Sequence, residues 1–199
     1  TNEWKKIVTA EQLSGYSETE LAKVMTSDGC CLNLQIPVYI DVMTYADSRS
    51  LREEVYRAYI SRASDVGHTS KEFDNRGVMN DILRLRSEIA KLLGFRNYAE
   101  LSVESKMVNS PTEVVDFLDE LVAYSKAQAI SELEELQIFA GQELAPWDLM
   151  YYSEKLKQQK FGYKRSDLTP YFPEESVLNG LFSTIEMLYG IGISPVSET

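Results

Sequence analysis

Residues 110 to 141 read SPTEVVDFLDELVAYSKAQAISELEELQIFAG and carry the strongest structural signal in the chain. Ser110 supplies an N-cap hydroxyl, Pro111 suits the first helical position, and Glu113 places a carboxylate in the first turn. Apolar and small residues then recur at helical spacing for about 30 residues, which corresponds to a rod of roughly 45 Å. Gly141 is a typical left-handed helix end. The stretch predicts one long helix from Ser110 to about Ala140.

Helical spacing continues on both sides of this stretch. It predicts helices from Asp47 or Ser48 to about Ala63, from about Val78 to Leu93, after Asn97, from about Pro146 to Lys160, and from Pro173 to Tyr189. Ser17 and Glu20 have capping-box spacing, so a short helix should follow them. One clear strand pattern, alternating apolar and polar residues, runs from Cys31 to Ile36.

These patterns predict a mainly α fold with several helices and one short β-strand. The three helices predicted from Asp47 or Ser48, from about Val78 and after Asn97 carry apolar stripes that we expect to face inward. We expect residues 1–199 to form a single helical segment. Residues 1–45 would be an entry segment that contains the short strand, and residues 46–190 would form a helical core.

The composition excludes several classes of partner. Lys and Arg number 20 against 31 Asp and Glu, and the net charge of −11 disfavours binding to nucleic acid. No apolar run reaches the roughly 20 residues needed to span a bilayer, and no hydrophobic signal segment follows the first residues. Cys30 and Cys31 are adjacent and would point to opposite faces of a strand, so a disulfide framework is not expected. We therefore expect a cytoplasmic protein with neither nucleic acid nor membrane as a partner.

A catalytic site is not visible in the sequence. A zinc-binding helix needs two histidines four residues apart with a glutamate between them, whereas the chain has one histidine, His68, in a predicted loop. Cys30, Cys31 and His68 together could offer three ligands, but the two cysteines should point apart, which favours an ordinary loop histidine. A Ser-His-Asp triad would also depend on His68, and the Gly-x-Ser-x-Gly and phosphate-binding glycine motifs are absent. We assign no catalytic or metal-binding residue and expect no zinc in this chain.

Acidic residues and tyrosines also cluster at helical spacing. The acidic groups are Glu100 with Glu104, Asp116 with Glu120, and Glu132 with Glu134 and Glu135. The tyrosines are Tyr56 with Tyr59 and Tyr151 with Tyr152. Without a partnering histidine, the carboxylates are interpreted as solvated helix surface. A tyrosine can donate to an oxyanion, but at this spacing the edge of a core is the preferred interpretation, so no substrate-binding residue is assigned.

Ordered sequence blocks extend from residue 1 to about residue 193. They include LREEVYRAY at 51–59, LLGFRNYA at 92–99, PYFP at 170–173 and, as the most specific, PWDLMYYSEK at 146–155. Together these blocks resemble the thimet-oligopeptidase family of zinc metallopeptidases, and most closely its oligopeptidase A branch.

The resemblance implies a neurolysin-like or thimet-oligopeptidase-like fold and a soluble, mostly helical zinc endopeptidase that cleaves short peptides in a deep channel. In that family the His-Glu-Phe-Gly-His helix, the further glutamate ligand and the transition-state tyrosine and histidine lie C-terminal to the matched segment. No catalytic residue can therefore be carried over. This chain would form part of a channel wall and bracing helices, and its partners would be the missing N-terminal and catalytic portions of the same polypeptide.

A second interpretation stays open: a free-standing helical binding or scaffold protein derived from the peptidase. In either case, helix faces without their flanking portions would expose apolar surface to water. The predicted strand, with no patterned partner strand, would also leave an open edge. We therefore expect self-association of the isolated chain.

Overall fold

The computed structural model describes residues 4–66, 73–194 and 196, and the chain divides into two units at residues 156 and 157. The first unit contains β1 (Lys5–Val8), α1 (Glu18–Val24), β2 (Met25–Thr26), β3 (Gly29–Asn33), α2 (Ile36–Tyr45), α3 (Arg49–Ile60), α4 (Arg76–Leu92), α5 (Tyr98–Val103), α6 (Pro111–Ala140) and the start of α7 (Leu149–Phe161). The second unit contains the end of α7, α8 (Arg165–Leu168) and α9 (Glu174–Tyr189). The predicted mainly α class is confirmed. The divisions predicted at residues 45 and 190 stay predictions.

Three strands form an antiparallel sheet with β3 in the centre, in the order β1-β3-β2. Lys5 lies opposite Asn33 at one end of the β1–β3 pair, and Met25 lies opposite Cys30 in the β2–β3 pair. The prediction of a single strand is therefore wrong, because β1 pairs with β3 from Cys30 to Asn33. On the other side of β3, β2 pairs only with Gly29 and Cys30. β1 has only four residues, and its pattern is too short to be recognised without its partner.

The predicted strand boundaries also shift. The strand ends at Asn33 instead of Ile36, because the Asn33 side-chain oxygen accepts a hydrogen bond from the Gln35 N–H at 2.9 Å and turns the chain. Ile36 then opens α2, with Pro37 in its first turn.

The buried core is formed by the sheet and the first three helices. Its members are Val8, Leu13, Val24, Cys30, Leu32, Leu34, Val42, Met43, Ala46, Leu51, Val55 and Ala58. Burying each large aliphatic side chain contributes roughly 1.5–3 kcal/mol before the cost of ordering the chain. This small core fixes the corner between α2 and α3, on which the functional cluster described below is built.

The expectation of an inward apolar stripe is confirmed for α3, in which Leu51, Val55 and Ala58 are buried, and is wrong for much of α4. The apolar sides of α6 and α9 are also largely exposed, in agreement with the expectation that apolar surface would face water. Ala90 and Leu136 are buried, but Ile82 in α4 is 42% exposed, Leu121 in α6 is 48% exposed, and Leu181 in α9 is 50% exposed. Periodicity shows which side of a helix is apolar but does not supply a partner surface. The described residues of this chain leave these stripes facing solvent.

Predicted helix ends depend on local contacts and are mostly confirmed. The Ser110 hydroxyl accepts a hydrogen bond from the Glu113 N–H at 3.2 Å, and Gly141 ends α6 with φ of 66°. Helix α7 starts at Leu149 instead of about Pro146. A turn precedes it, closed by the Asp148 N–H donating to the Ala145 carbonyl at 2.9 Å. Among the described residues, no helix combines the length and apolar character that crossing a membrane would require.

Gly15 lies where the chain passes close to Tyr45 and Asp47 at the α2–α3 corner, and only a residue without a side chain fits there. Its φ is +99°, and an added Cβ would lie 2.9 Å from Asp47 Oδ1 and well inside van der Waals contact with the Tyr45 carbonyl. We expect Gly15→Ala to lower the free energy of unfolding by roughly 2 kcal/mol or more, measured by urea denaturation. Gly77→Ala is the matched control, because a Cβ there meets open space. Similar urea midpoints for Gly15→Ala and Gly77→Ala would contradict the close approach of Gly15 to Tyr45 and Asp47.

Candidate functional site

The blocks at 51–59 and 146–155 meet around the side chain of Asp148. This carboxylate is fully buried and accepts a hydrogen bond from Arg52 Nη2 at 2.8 Å, across 96 positions of sequence. Arg49 donates to it from Nε at 3.0 Å and from Nη2 at 2.8 Å, and the Ala145 N–H donates at 3.1 Å. Two guanidinium groups and one backbone amide therefore surround a single buried carboxylate.

Arg52 is as deeply buried as its partner, with 1% of its surface exposed. Besides binding Asp148, its Nη1 donates to the carbonyls of Ala46 at 2.7 Å and Asp47 at 3.2 Å, and its Nε donates to the Trp147 carbonyl at 3.1 Å. A buried charge is tolerated when its donors are occupied and an opposite charge is adjacent. Arg52 meets both conditions, so it joins the α2–α3 corner to the turn before α7.

Asp47 forms a second centre beside this ion pair. Its Oδ1 accepts the Tyr151 hydroxyl at 2.8 Å and lies 3.5 Å from Lys155 Nζ, and its Oδ2 accepts the Ser14 hydroxyl at 2.9 Å. The Tyr151 ring in turn faces the Arg52 guanidinium, 4.1 Å from ring centroid to Cζ. We call the connected side chains the polar clasp; they are Ser14, Asp47, Arg49, Arg52, Asp148, Tyr151 and Lys155.

The pKa values in the clasp keep its charges in place at neutral pH. Burial tends to raise the pKa of Asp148, but the hydrogen bonds from Arg49 and Arg52 outweigh it and hold this pKa below its usual range. Burial also tends to raise the pKa of Asp47, and the hydrogen bonds from Tyr151 and Ser14 likewise leave it lowered. Burial, together with the adjacent Asp47 carboxylate, raises the pKa of Tyr151 to about 12. Both carboxylates are therefore charged while the phenol stays protonated and donates.

This arrangement is suited to holding chain segments together and not to catalysis. The Asp148 oxygens are occupied by three donor groups, so the carboxylate has no free position from which to take a proton from a substrate. Within residues 4–66, 73–194 and 196, no three or more His, Cys, Asp or Glu side chains are grouped to hold a metal ion. The zinc that the resemblance implies thus does not fit the described residues. His68 lies outside them.

Other residues singled out in the sequence do not converge on one place. Cys30 is buried, Cys31 is partly exposed, and both are free thiols. Most of these carboxylates are exposed, and Glu132 accepts a hydrogen bond from Gln128. Glu100 is half-buried and pairs with Arg96.

The tyrosines separate into two environments. Tyr56 and Tyr59 pack at the edge of the core, as predicted. Tyr151 belongs to the polar clasp, and the Tyr152 hydroxyl accepts a hydrogen bond from Gln142 at 2.9 Å. Tyr151 is hydrogen-bonded to the Asp47 carboxylate, but the described part of the chain holds no group of three or more His, Cys, Asp or Glu side chains that could bind a metal ion there.

Sequence reasoning missed the ion pair at the centre of the clasp. One signal was present: Arg52 lies three residues before Val55, on the side of α3 that faces the core. A charged side chain on an apolar helix face is rarely buried without a partner. The partner was not predictable from spacing, because Asp148 is 96 positions away.

Residues 42–199 match the family model described as Peptidase family M3. The chain belongs to this family. The resemblance that the sequence blocks suggest is thereby confirmed, and every residue of the polar clasp except Ser14 lies inside the matched region. Its two central residues are therefore part of a family M3 segment.

Individual family M3 relatives extend the match toward the N-terminus. The chain is 45% identical to Oligopeptidase A of Salmonella typhimurium and 46% identical to Oligopeptidase A of Escherichia coli, in both cases over 94% of this chain and 29% of the relative. It is 39% identical to Probable cytosolic oligopeptidase A of Arabidopsis thaliana over 82% of this chain and 24% of the relative. The chain thus spans less than a third of the length of these relatives.

The lowered pKa of Asp148 predicts acid-dependent stability. A carboxyl whose folded pKa lies below its unfolded value, about 3.9, stabilises the fold above that value. The contribution is lost as pH falls through the folded pKa. Asp148→Asn should lower the free energy of unfolding by about 3 kcal/mol at pH 7, because Arg52 is left buried without its counter-charge. The difference from the wild type should begin to shrink below about pH 4, where the unfolded carboxyl takes up a proton, and should be lost as pH falls through the folded pKa of Asp148.

The control for this measurement is Asp116→Asn on the exposed surface of α6, which should change stability little at any pH. Urea denaturation monitored between pH 3 and pH 7 provides the comparison. A pH-independent difference between Asp148→Asn and the wild type would show that the charge of Asp148 is not what stabilises the clasp.

Proposed function

We propose that this chain is a segment of a cytoplasmic zinc metallo-oligopeptidase that cleaves short peptides. The observation that carries the proposal is the match to relatives named oligopeptidase A over 94% of the chain. Its two free thiols are consistent with a reducing compartment, and one relative is described as cytosolic. The peptides of the parent enzyme would be its substrates, and zinc would be the parent's cofactor.

Within such an enzyme, the role of this segment is structural. It would form part of the channel wall and the helices that brace the catalytic half. The exposed apolar stripes of α4, α6 and α9 support this role, because surfaces of that kind normally lie against another part of a protein. The remaining portions of the same polypeptide are the partners that would cover them. The segment alone would be catalytically inactive, since its described residues offer no metal-binding group.

The alternative is a free-standing helical binding or scaffold protein derived from the peptidase. The apolar core buried within residues 8–58 of this chain is compatible with it. The reading frame after Thr199 separates the two proposals. A His-Glu-x-x-His motif in the following coding sequence would support the peptidase segment, and a stop codon there would support the scaffold.

One prediction of the proposed function concerns bound metal and peptidase activity. The purified chain should contain no stoichiometric zinc and should not cleave short peptides, because it has one histidine and the zinc helix of the family needs two. Elemental analysis and a peptide-cleavage assay test this, with Escherichia coli oligopeptidase A as the positive control. Tightly bound zinc at about one ion per chain with chelator-sensitive cleavage would contradict the inactive-segment proposal.

Another prediction of the proposed function concerns the exposed apolar faces of α4, α6 and α9. The isolated chain should self-associate, giving a mass above the monomer that falls on dilution in light scattering. Leu85 on the apolar stripe of α4 is 47% exposed, so Leu85→Glu should weaken the association. Asn80→Glu adds the same charge to the polar side of α4 and should not. A monomeric mass at high concentration would favour the scaffold protein instead.

A further inference from the structure

The segment from residue 145 to residue 155 is attached to the rest of its unit mainly by polar contacts. The buried apolar cluster lies between residues 8 and 58, and the first apolar side chains of α7 are more than a third exposed, with Leu149 at 38% and Met150 at 39%. The segment is tied down by Asp148 on Arg49 and Arg52, and by Tyr151 and Lys155 on Asp47. Its main apolar contact is Trp147, which packs against the edge of the core.

Hydrogen-bond networks and apolar contacts are lost in different ways when a segment opens. A connected network of buried hydrogen bonds is all-or-none, because losing one member leaves its neighbours buried and unpaired. Apolar contacts are non-directional and weaken in proportion to the area exposed. A segment held by a network should therefore open in one step, while the apolar cluster beside it remains packed.

Each side of the clasp can also satisfy polar groups of its own after the two sides separate. When Asp148 leaves, Arg52 keeps its hydrogen bonds to the Ala46 and Asp47 carbonyls, and Asp47 keeps the Ser14 hydroxyl. On the departing side, Trp147 Nε1 is buried without a hydrogen-bond partner among the described residues. Opening would let this N–H reach water, which offsets part of the cost.

We propose that the polar clasp is a release point: residues 145–155 detach from the α2–α3 corner as a unit, while the sheet and α1–α3 stay folded. The clasp then acts as a closable strap at the start of α7. This inference goes beyond the proposed function and does not depend on it, because it concerns motion within the isolated chain.

Hydrogen–deuterium exchange of the chain at neutral pH, read by peptide mass spectrometry, tests the release. In Asp148→Asn, amides of residues 145–155 should exchange at least about tenfold faster than in the wild type, while β3 and the buried part of α3 keep their rates. Glu88→Gln is the matched control, a carboxylate-to-amide change on α4 at an exposed pair with Arg84, and it should leave residues 145–155 unchanged. Equal acceleration in β3 would show that the whole unit opens together and would overturn the proposal.

A milder variant keeps the test decisive if Asp148→Asn does not fold. Tyr151→Phe removes one hydrogen bond to Asp47 and should give a smaller acceleration confined to the same residues. In the wild type under low urea, residues 145–155 should lose protection at a lower urea concentration than β3. Loss of protection at the same concentration, or no acceleration in Tyr151→Phe, would equally overturn the release.

Discussion

The position of α7 in the first unit depends on one buried ion pair, Arg52 with Asp148. Taking two charges out of water costs several kcal/mol for each ion, and the pair persists because nearly every donor and acceptor is occupied. Three backbone carbonyls and a carboxylate receive the Arg52 donors, and a second arginine, Arg49, supports Asp148. The pair sets where the chain returns after α6 and therefore where α7 begins.

Apolar burial is concentrated in a small part of the chain. The sheet and α1–α3 bury a continuous cluster, while α4 and α6 extend from it with apolar side chains in solvent. An amphipathic helix of this kind is ordinarily stabilised by a partner surface more than by its own propensity. In the comparisons, the chain spans 29% of its oligopeptidase A relatives.

The family assignment and the geometry of the polar clasp rest on different features of this protein. Membership of peptidase family M3 follows from sequence similarity, whereas the residues that the structure brings together form a structural clasp. The single histidine already excluded a two-histidine zinc helix in this chain. The clasp also gives a physical reason for two of the sequence blocks that carry the family resemblance, because Arg52 belongs to one and Asp148 to the other.

The sequence by itself determined the helical class, the family and most helix ends. Caps such as Ser110 and Gly141 act on backbone groups within one turn, so their pattern is readable from neighbouring residues. Only the tertiary structure decided the partners of β3, the exposure of the α4 and α6 stripes, and the pairing of Arg52 with Asp148. These depend on which distant segments meet in space, and the periodicity of one segment contains no information about the surface that another segment will offer it.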